Sequence, residues 1–183
     1  MKMTFKKFVI IPLMIGVLAF GIQLLDQLLS PLMEPLPNKG FSWICFQTWA
    51  VYFFSGSTLK GGIKALISYG LGIIVSILIM KLGGATMPVL GFFAVPLAVG
   101  ILACAAIFLE RNEWTSCIPA LFIGAGAFFA FMNYVPGATF SNAALVIMVY
   151  CFIGLFFGFI TILLRSKYEK RVSEQIINKN LQK

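Results

Sequence analysis

No charged residue occurs between Glu113 and Arg165, a stretch of 51 residues. A membrane-spanning helix needs about 20 consecutive apolar residues, so this stretch is long enough for two spans and the turn between them. A second uncharged stretch, of 28 residues, lies between Lys81 and Glu110. These lengths predict a polytopic membrane protein.

The composition agrees and also excludes most chemistry. Charged residues make up 11% of the chain, against about 25% in soluble domains. His is absent, and no C-x-x-C pair or nucleotide-binding glycine loop occurs. We therefore expect no metal, no cofactor and no enzymatic activity. Four cysteines are predicted to be free, small apolar residues: Cys45, Cys104, Cys117 and Cys151.

Six apolar segments are predicted to be helices in an all-α integral membrane protein. The basic start before Phe8 also fits a signal peptide, but the apolar run continues to Leu29, which favours a retained first helix. Residues 1–164 would form one transmembrane domain, and residues 165–183 a basic cytoplasmic tail, either a short helix or disordered. The predicted spans are 8–29, 43–55, 65–80, 89–109, 118–132 and 143–164.

The distribution of Lys and Arg predicts the orientation. If all six segments cross and the N-terminus is cytoplasmic, twelve of the 14 basic residues lie inside. Only Lys39 and Lys81 lie outside. Positive charge is enriched in cytoplasmic loops, so we expect a bacterial inner-membrane protein with both termini in the cytoplasm. The net charge of +8 is then explained without nucleic acid, and the basic tail is predicted to attract anionic lipid.

The two halves of the chain, about 8–80 and 89–164, share a weak internal repeat. The first and fourth spans share P-L-x-x-G-x-L-A from Pro12 and Pro96, and the second and fifth spans both contain Phe-Phe, at Phe53 and Phe128. Because each half has three helices, the halves would insert with opposite orientation. This predicts six transmembrane helices as two inverted three-helix repeats, an architecture common among transporters.

Small residues one helical turn apart mark the third and sixth spans. Gly72 and Ser76 form one such step, and Gly154 and Gly158 form the other. Such steps allow helix backbones to approach closely in lipid. We expect these residues to pack helices together and to offer faces for a homo-oligomer.

Few polar residues lie within the predicted spans. Asp26, near the outer end of the first span, fits either a solvated helix end or an acid in an outer vestibule. Gln47 and Thr48 lie in the middle of the short second span, where an unpaired amide is costly. They fit either interhelical hydrogen bonds or the lining of a pore.

Paired short spans in matching positions point to a binding site. If the second and fifth spans cross, Gln47 and Thr48 would approach Phe122 and Gly126 across a narrow passage. Aromatic side chains near the predicted interfaces fit either anchoring in the headgroup region or, for Trp43 and Tyr52, framing of the openings. These aromatic residues are Trp43, Trp49, Tyr52, Trp114 and Tyr134.

Two functions remain open. The near absence of buried charge and the inverted repeat favour a channel or facilitator for a small neutral or weakly polar solute. The alternative is a non-transporting membrane scaffold or partner subunit. A continuous or gated polar path would favour the first function, and a solid apolar core the second.

The second span and its turn resemble a family of small bacterial inner-membrane proteins described as domain of unknown function 1097. The glycine-rich fifth span from Pro119 supports the resemblance, which covers about residues 8–165. Phe54, Ser57 and the longer proline-bearing loop before Phe41 depart from it. The resemblance implies an inner-membrane protein of this size and assigns no site residues. It is carried by Ser42-Trp43, Phe46, Tyr52-Phe53, Gly56 and Lys60-Gly61.

Overall fold

The computed structural model of the chain describes the backbone of residues 4–181 and the side chains of residues 4–178. Over this range the fold is all-helical, with short 3-10 turns at Ser30–Leu32, Gly91–Phe93 and Phe108–Arg111. The basic residues Lys2, Lys179 and Lys183 lie outside the described side chains. The α-helices are α1 (Phe5–Phe8), α2 (Ile10–Leu29), α3 (Ser42–Phe54), α4 (Leu59–Leu90), α5 (Ala94–Ile107), α6 (Ile118–Tyr134) and α7 (Phe140–Leu181).

The positions of three expected segments are confirmed as helices within one or two residues at each end. Helix α2 matches the segment at 8–29, α3 the segment at 43–55, and α6 the segment at 118–132. Helix α3 has 13 residues, about 20 Å at 1.5 Å per residue. Its shortness follows from Gly56, whose φ of 92° ends the helix, and from the prolines that precede it.

Helix α4 is longer than expected. The prediction ended the third span at residue 80, but the helix runs through Lys81 and Pro88 to Leu90, a total of 32 residues. Gly83 explains part of the error, because it is buried and lies against Val95 of α5. The glycine that indicated a loop is instead the point where two helices pack. Gly91, with φ of 49°, then ends the helix.

Helix α7 is also longer than expected, at 42 residues. The tail predicted from residue 165 has no structural break before it, because the helix continues from the apolar segment to Leu181. At 1.5 Å per residue the helix is about 63 Å long, about twice the hydrocarbon thickness of a bilayer. A pair between Arg165 and Glu169, at 2.8 Å, supports the continuation.

Four helices form the core in two parallel pairs. Helix α3 packs along α7, and α4 packs along α6. Helices α3 and α7 run parallel, because a contact further along α3 is also further along α7. Cys45 is hydrogen-bonded to Tyr150, and Trp49 is hydrogen-bonded to Thr161. Helices α4 and α6 begin at the same end, where Lys64 reaches Glu113. Helix α2 packs mainly on α7, and α5 packs on α4.

Three helical stretches are long and apolar enough to cross a bilayer, within the range that the structure describes. They are Phe5–Leu32, Leu59–Arg111 and Phe140–Asn178, and Ile118–Tyr134 is a shorter apolar helix. The second stretch contains both α4 and α5, which fold back on each other at Gly91. The chain therefore has the helices of a membrane protein, by length and composition.

Candidate functional site

Asp26 is buried and joins three parts of the chain. Its Oδ1 accepts hydrogen bonds from the Phe41 backbone N–H at 2.9 Å and from the Tyr150 hydroxyl at 2.7 Å. The residue is only 6% exposed, so it is neither the solvated helix end nor the open vestibule acid considered from the sequence. Gly40, with φ of 84°, lies so close that a Cβ there would overlap the carboxylate. We call Asp26, Gly40, Phe41 and Tyr150 the Asp26 cluster.

Next to the Asp26 cluster, further along α3 and α7, the two helices are in direct backbone contact. The Cys45 thiol donates to the Tyr150 carbonyl at 3.2 Å. The Thr48 hydroxyl, fully buried, donates back to the Ile44 carbonyl at 3.0 Å and lies against Gly154. A polar group in an apolar interior costs free energy unless it is paired, and these two are paired with main-chain carbonyls.

Closer to the Lys64 end, two aromatic side chains of α3 enter the same interface. The Trp49 indole N–H donates to the Thr161 hydroxyl at 2.9 Å. Tyr52 packs its ring against Gly158 of α7 and Gly62 of α4. Both residues are buried, so anchoring in the headgroup region, the alternative considered for them, does not describe their position.

Ser68 and Tyr69 of α4 hold the two buried side-chain oxygens without a hydrogen-bond partner in the described part of the chain. Ser68 has no exposed surface and Tyr69 is 1% exposed. Tyr69 belongs to the same buried core cluster as Cys45 and Cys151. An unsatisfied buried hydroxyl costs about 1–3 kcal/mol. Such groups are rare in native proteins and call for an explanation.

The side chains expected to meet across a passage do not do so. Gln47 is exposed, Phe122 is 49% exposed, and nothing lies within 4 Å of where a Gly126 Cβ would be. All three face away from the core, whereas Thr48 faces inward. The expected passage between α3 and α6 is therefore wrong, because the inward face of α3 is the one that packs on α7.

The remaining aromatic candidates lie at the two ends of the bundle. Trp43 is half-buried in a groove beside Lys39 and Tyr134, at the Phe41 end. Tyr134 is 84% exposed there. Trp114 is 47% exposed at the opposite end, where the Lys60 ammonium lies 5.8 Å from its ring centre.

The four small residues singled out in the sequence all lie at helix contacts within the chain. Added Cβ atoms at Gly72 and Gly154 would overlap carbonyl oxygens of α6 and α3, respectively. Ser76 donates to the Ala125 carbonyl at 3.2 Å, and Gly158 packs on Tyr52. These faces are used inside one copy, so the expectation that they offer surfaces for a homo-oligomer is wrong.

Sequence reasoning missed Ser68, Tyr69, Tyr150 and Thr161. Tyr69 and Tyr150 give no signal by residue type alone, because tyrosine is common at membrane interfaces. The position of Tyr150 in the sequence did give a signal. It lies near the middle of the second half of the 51-residue uncharged stretch, and no charged residue is close to it in the sequence. A tyrosine at that depth needs a partner for its hydroxyl, and Asp26 is that partner.

At the Lys64 end, Glu113 joins the loop before α6 to the start of α4. Its Oε1 lies 2.6 Å from the Lys60 ammonium and 3.3 Å from that of Lys64. Hydrogen bonds from Lys60 and then Lys64 lower the pKa of Glu113 below its ordinary value of 4.5. Glu113 is exposed, so solvent screens the pairs and their stabilising effect is small.

We expect the contribution of Glu113 to disappear in acid. Because the folded-state pKa is depressed, the stabilisation is present above pH 4.5 and is lost as the pH falls through the lower folded-state value. Glu113→Gln should therefore lower the melting temperature slightly at pH 7 and have no effect in acid below the folded-state pKa of Glu113. Glu110→Gln is the matched control, expected to change neither. An equal effect of Glu113→Gln at both pH values would contradict the assignment.

The described residues contain no group of three or more His, Cys, Asp or Glu side chains able to hold a metal ion. The four cysteines are free, with Cys45 and Cys151 buried and Cys104 exposed. An apolar groove of about 280 Å³ lies between α4 and α7, with Tyr52 and Gly62 at its wall. Its lining suits an acyl chain better than a polar ligand.

Comparison with known proteins identifies a family but no named activity. No curated protein matches the chain, and no solved structure matches it. One family model, described as a protein of unknown function (DUF1097), matches residues 12–165. That range includes α3, its turn and the glycine-rich α6, so the resemblance found in the sequence is confirmed. The chain belongs to this family of unknown function.

Proposed function

We propose that the chain is a multi-pass inner-membrane protein with six spans and both termini in the cytoplasm. The charge distribution supports this orientation, and so do the contacts at the two ends of the bundle. The Tyr168 hydroxyl donates to the Lys7 carbonyl at 2.6 Å, which holds the start of the chain beside the basic part of α7. The Lys60–Glu113 pair lies toward the same end. A basic cytoplasmic end would attract anionic lipid.

We further propose that the six spans form two inverted halves. In such a repeat α3 corresponds to α6, and α7 corresponds to α4. The α3–α7 pair therefore corresponds to the α6–α4 pair. These are the two parallel core pairs. Pro12 and Pro96 also occupy the third position of their helices, α2 and α5. Both observations are what an inverted repeat predicts.

Within this architecture we propose a facilitator for a small neutral or weakly polar solute. The observation that carries it is the pair of unpartnered hydroxyls, Ser68 and Tyr69, in the middle of an apolar bundle. Hydroxyl groups can replace the hydrogen bonds that a small solute loses when it leaves water. The proposed path follows the polar core cluster, which consists of Asp26, Cys45, Thr48, Ser68, Tyr69, Tyr150 and Cys151.

In this conformation the proposed path is closed. Phe41 is 2% exposed and stacks on Phe131 with 5.1 Å between ring centres. This pair closes the end of the polar core cluster at which α3 begins. At the other end the Tyr52 ring fills the space between Gly158 and Gly62. Opening would require Asp26 and Phe41 to separate from Tyr150 of α7 and Tyr52 to move away from Gly158 and Gly62. Inverted-repeat transporters alternate access by rocking or gating one repeat against the other.

The test is Tyr69→Phe in proteoliposomes. This variant keeps the ring and removes one unpartnered hydroxyl, so we expect unchanged or slightly higher thermal stability. We expect the flux of the conducted solute to fall at least about tenfold, since an unsatisfied polar group in hydrocarbon costs several kcal/mol. Stopped-flow light scattering with urea and glycerol as the first solutes measures the flux.

Tyr134→Phe is the matched control for this test, because it makes the same chemical change at a residue that is 84% exposed. We expect it to conduct like the wild type. If Tyr69→Phe is folded and conducts like the wild type, the polar core cluster is not the path. If the folded wild type conducts no small solute faster than empty liposomes, the facilitator proposal is overturned.

A scaffold or partner subunit is the second candidate, favoured by the broad apolar faces of α2 and α5. On α2, Leu13, Val17 and Phe20 are 63%, 69% and 68% exposed. These helices contribute little to the core and leave much surface for another membrane protein. Absence of flux together with stable co-purification of a second membrane protein would support this function.

A further inference from the structure

One face of α3 points away from the core and carries a single polar side chain, Gln47. The rest of this outward face is apolar, and it contains one small residue, Ala50. The Gln47 side chain forms no hydrogen bond with any residue in the described range 4–178. We call this surface the Gln47 face, and its exposed residues are Phe46, Gln47, Ala50, Phe53 and Phe54.

The position of Gln47 along α3 matters because the inference rests on the proposed insertion of α3 into the bilayer. Phe41, which bonds to Asp26, marks one end of the helix, and Ser55 marks the other. At 1.5 Å per residue, Gln47 lies about 9 Å from the first and about 12 Å from the second. Its amide is therefore near the middle of the span, out of easy reach of water at either end.

An amide at this depth needs a partner. Leaving its donor and acceptor facing lipid costs several kcal/mol. Phe46 and Ala50, beside Gln47 on this face, offer the amide no polar group, and the backbone groups of α3 are paired within the helix. Trp43, one turn earlier on α3, lies in the groove beside Lys39 and Tyr134. Within residues 4–178 no side chain supplies that partner, so we look for it in a second molecule.

We propose that the partner is Gln47 of a second copy, in a parallel homodimer whose two-fold axis runs along the bilayer normal. An amide offers both donors and an acceptor, so two copies related by a two-fold axis can each donate to the other. A two-fold interface brings the same residue of both copies together. Ala50, one turn further along the helix, leaves room for the two α3 backbones to approach.

Charge does not oppose this contact. None of the exposed residues on the Gln47 face is ionisable, so no like charges meet at the axis. The small residues of α4 and α7 are already used inside each copy, whereas the Gln47 face is free within the described part of the chain. The residues of the Asp26 cluster's hydrogen bonds and of the polar core cluster are buried within one copy, so dimerisation through the exposed face leaves both intact.

The first experiment measures dimerisation by energy transfer between labelled copies diluted in liposomes. Interhelical hydrogen bonds in membranes contribute modestly, so we expect Gln47→Leu to weaken the dimer about 3- to 30-fold. Gln47→Asn retains an amide and should recover part of that loss. Gln23→Leu is the matched control, because Gln23 is an exposed amide of α2, and it should leave the dimer unchanged.

Each contrary outcome overturns the proposal. A wild type that is monomeric at high protein density excludes the dimer. Equal dimerisation of Gln47→Leu and wild type excludes the Gln47 face as its interface. Capture of a different membrane protein by this face, lost in Gln47→Leu, would assign the amide to another partner.

The second experiment uses Gln47→Cys in a Cys104→Ser, Cys117→Ser background, which removes the two cysteines that are not buried. We expect an oxidant to form a disulfide between the two copies at position 47. A membrane-impermeant maleimide separates the two ways to fail. Reaction with the maleimide means that α3 does not lie within the bilayer, so the proposed topology fails. Protection from the maleimide without a disulfide means that α3 is inserted and the dimer proposal alone fails.

Discussion

Gly154→Ala is expected to destabilise the protein by about 3 kcal/mol, the upper part of the range for overpacking. A Cβ on Gly154 would overlap the Cys45 carbonyl oxygen and the Thr48 hydroxyl. The obstacle is largely main chain, which cannot rotate away as a side chain can. The new methyl group therefore separates α7 from α3 and weakens every contact along that pair.

Thermal unfolding in detergent, followed by size-exclusion chromatography, measures this effect. Gly126→Ala is the matched control, since nothing lies within 4 Å of a Cβ at that helical position. It should be neutral or stabilising by up to about 1 kcal/mol, because Ala favours helix more than Gly does. The two substitutions are chemically identical, so the sign of the effect depends only on the surroundings. Equal effects would contradict the α3–α7 packing.

Asp26→Leu is expected to cost about 2–5 kcal/mol of stability. Without the carboxylate, the Phe41 N–H and the Tyr150 hydroxyl both lose their acceptor. Each is buried, and an unsatisfied buried donor costs about 1–3 kcal/mol. The loop before α3 and the middle of α7 would then no longer be held to α2. Asp26→Asn keeps an acceptor oxygen and should restore much of the loss.

A double-mutant cycle with Tyr150→Phe isolates the contribution of the hydrogen bond. Tyr150 and Asp26 share one bond of 2.7 Å, so the double variant should be less destabilised than the sum of the two single variants. Melting temperatures in the same detergent give the comparison. Strict additivity would show that Asp26 acts without Tyr150. Stability of Asp26→Leu equal to that of the wild type would show that the Asp26 cluster does not hold the fold together.

Much of the helical layout follows from simple features of the chain. The start of α3 after a proline-rich loop, its end near Gly56 and the start of α6 at Ile118 were all predictable. They depend on local backbone preferences, which a short segment contains in full. The error in α4 has the opposite origin. Gly83 continues a helix because Val95 packs against it, and that neighbour is 12 residues away.

The candidate site was less predictable than the helices. Asp26 was recognisable as an unusual carboxylate, but its partners, Phe41 and Tyr150, lie 15 and 124 residues away. Tyr69 gave no signal, because an unpaired hydroxyl can be recognised only when its surroundings are known. Thr48 and Gln47 are adjacent in the sequence, and the structure buries Thr48 while it leaves Gln47 exposed.

The sequence alone determined that this chain is apolar, helical and long enough to cross a membrane. It also determined where small residues permit close packing, because these properties depend on residue type and local spacing. Only the tertiary structure decided which face of each helix lies inside. In a soluble protein, polar residues mark the outer face, but lipid is as apolar as the protein core. Hydropathy therefore cannot separate the two faces of α3, and the contact of Gly154 with Cys45 and Thr48 turns Gln47 outward.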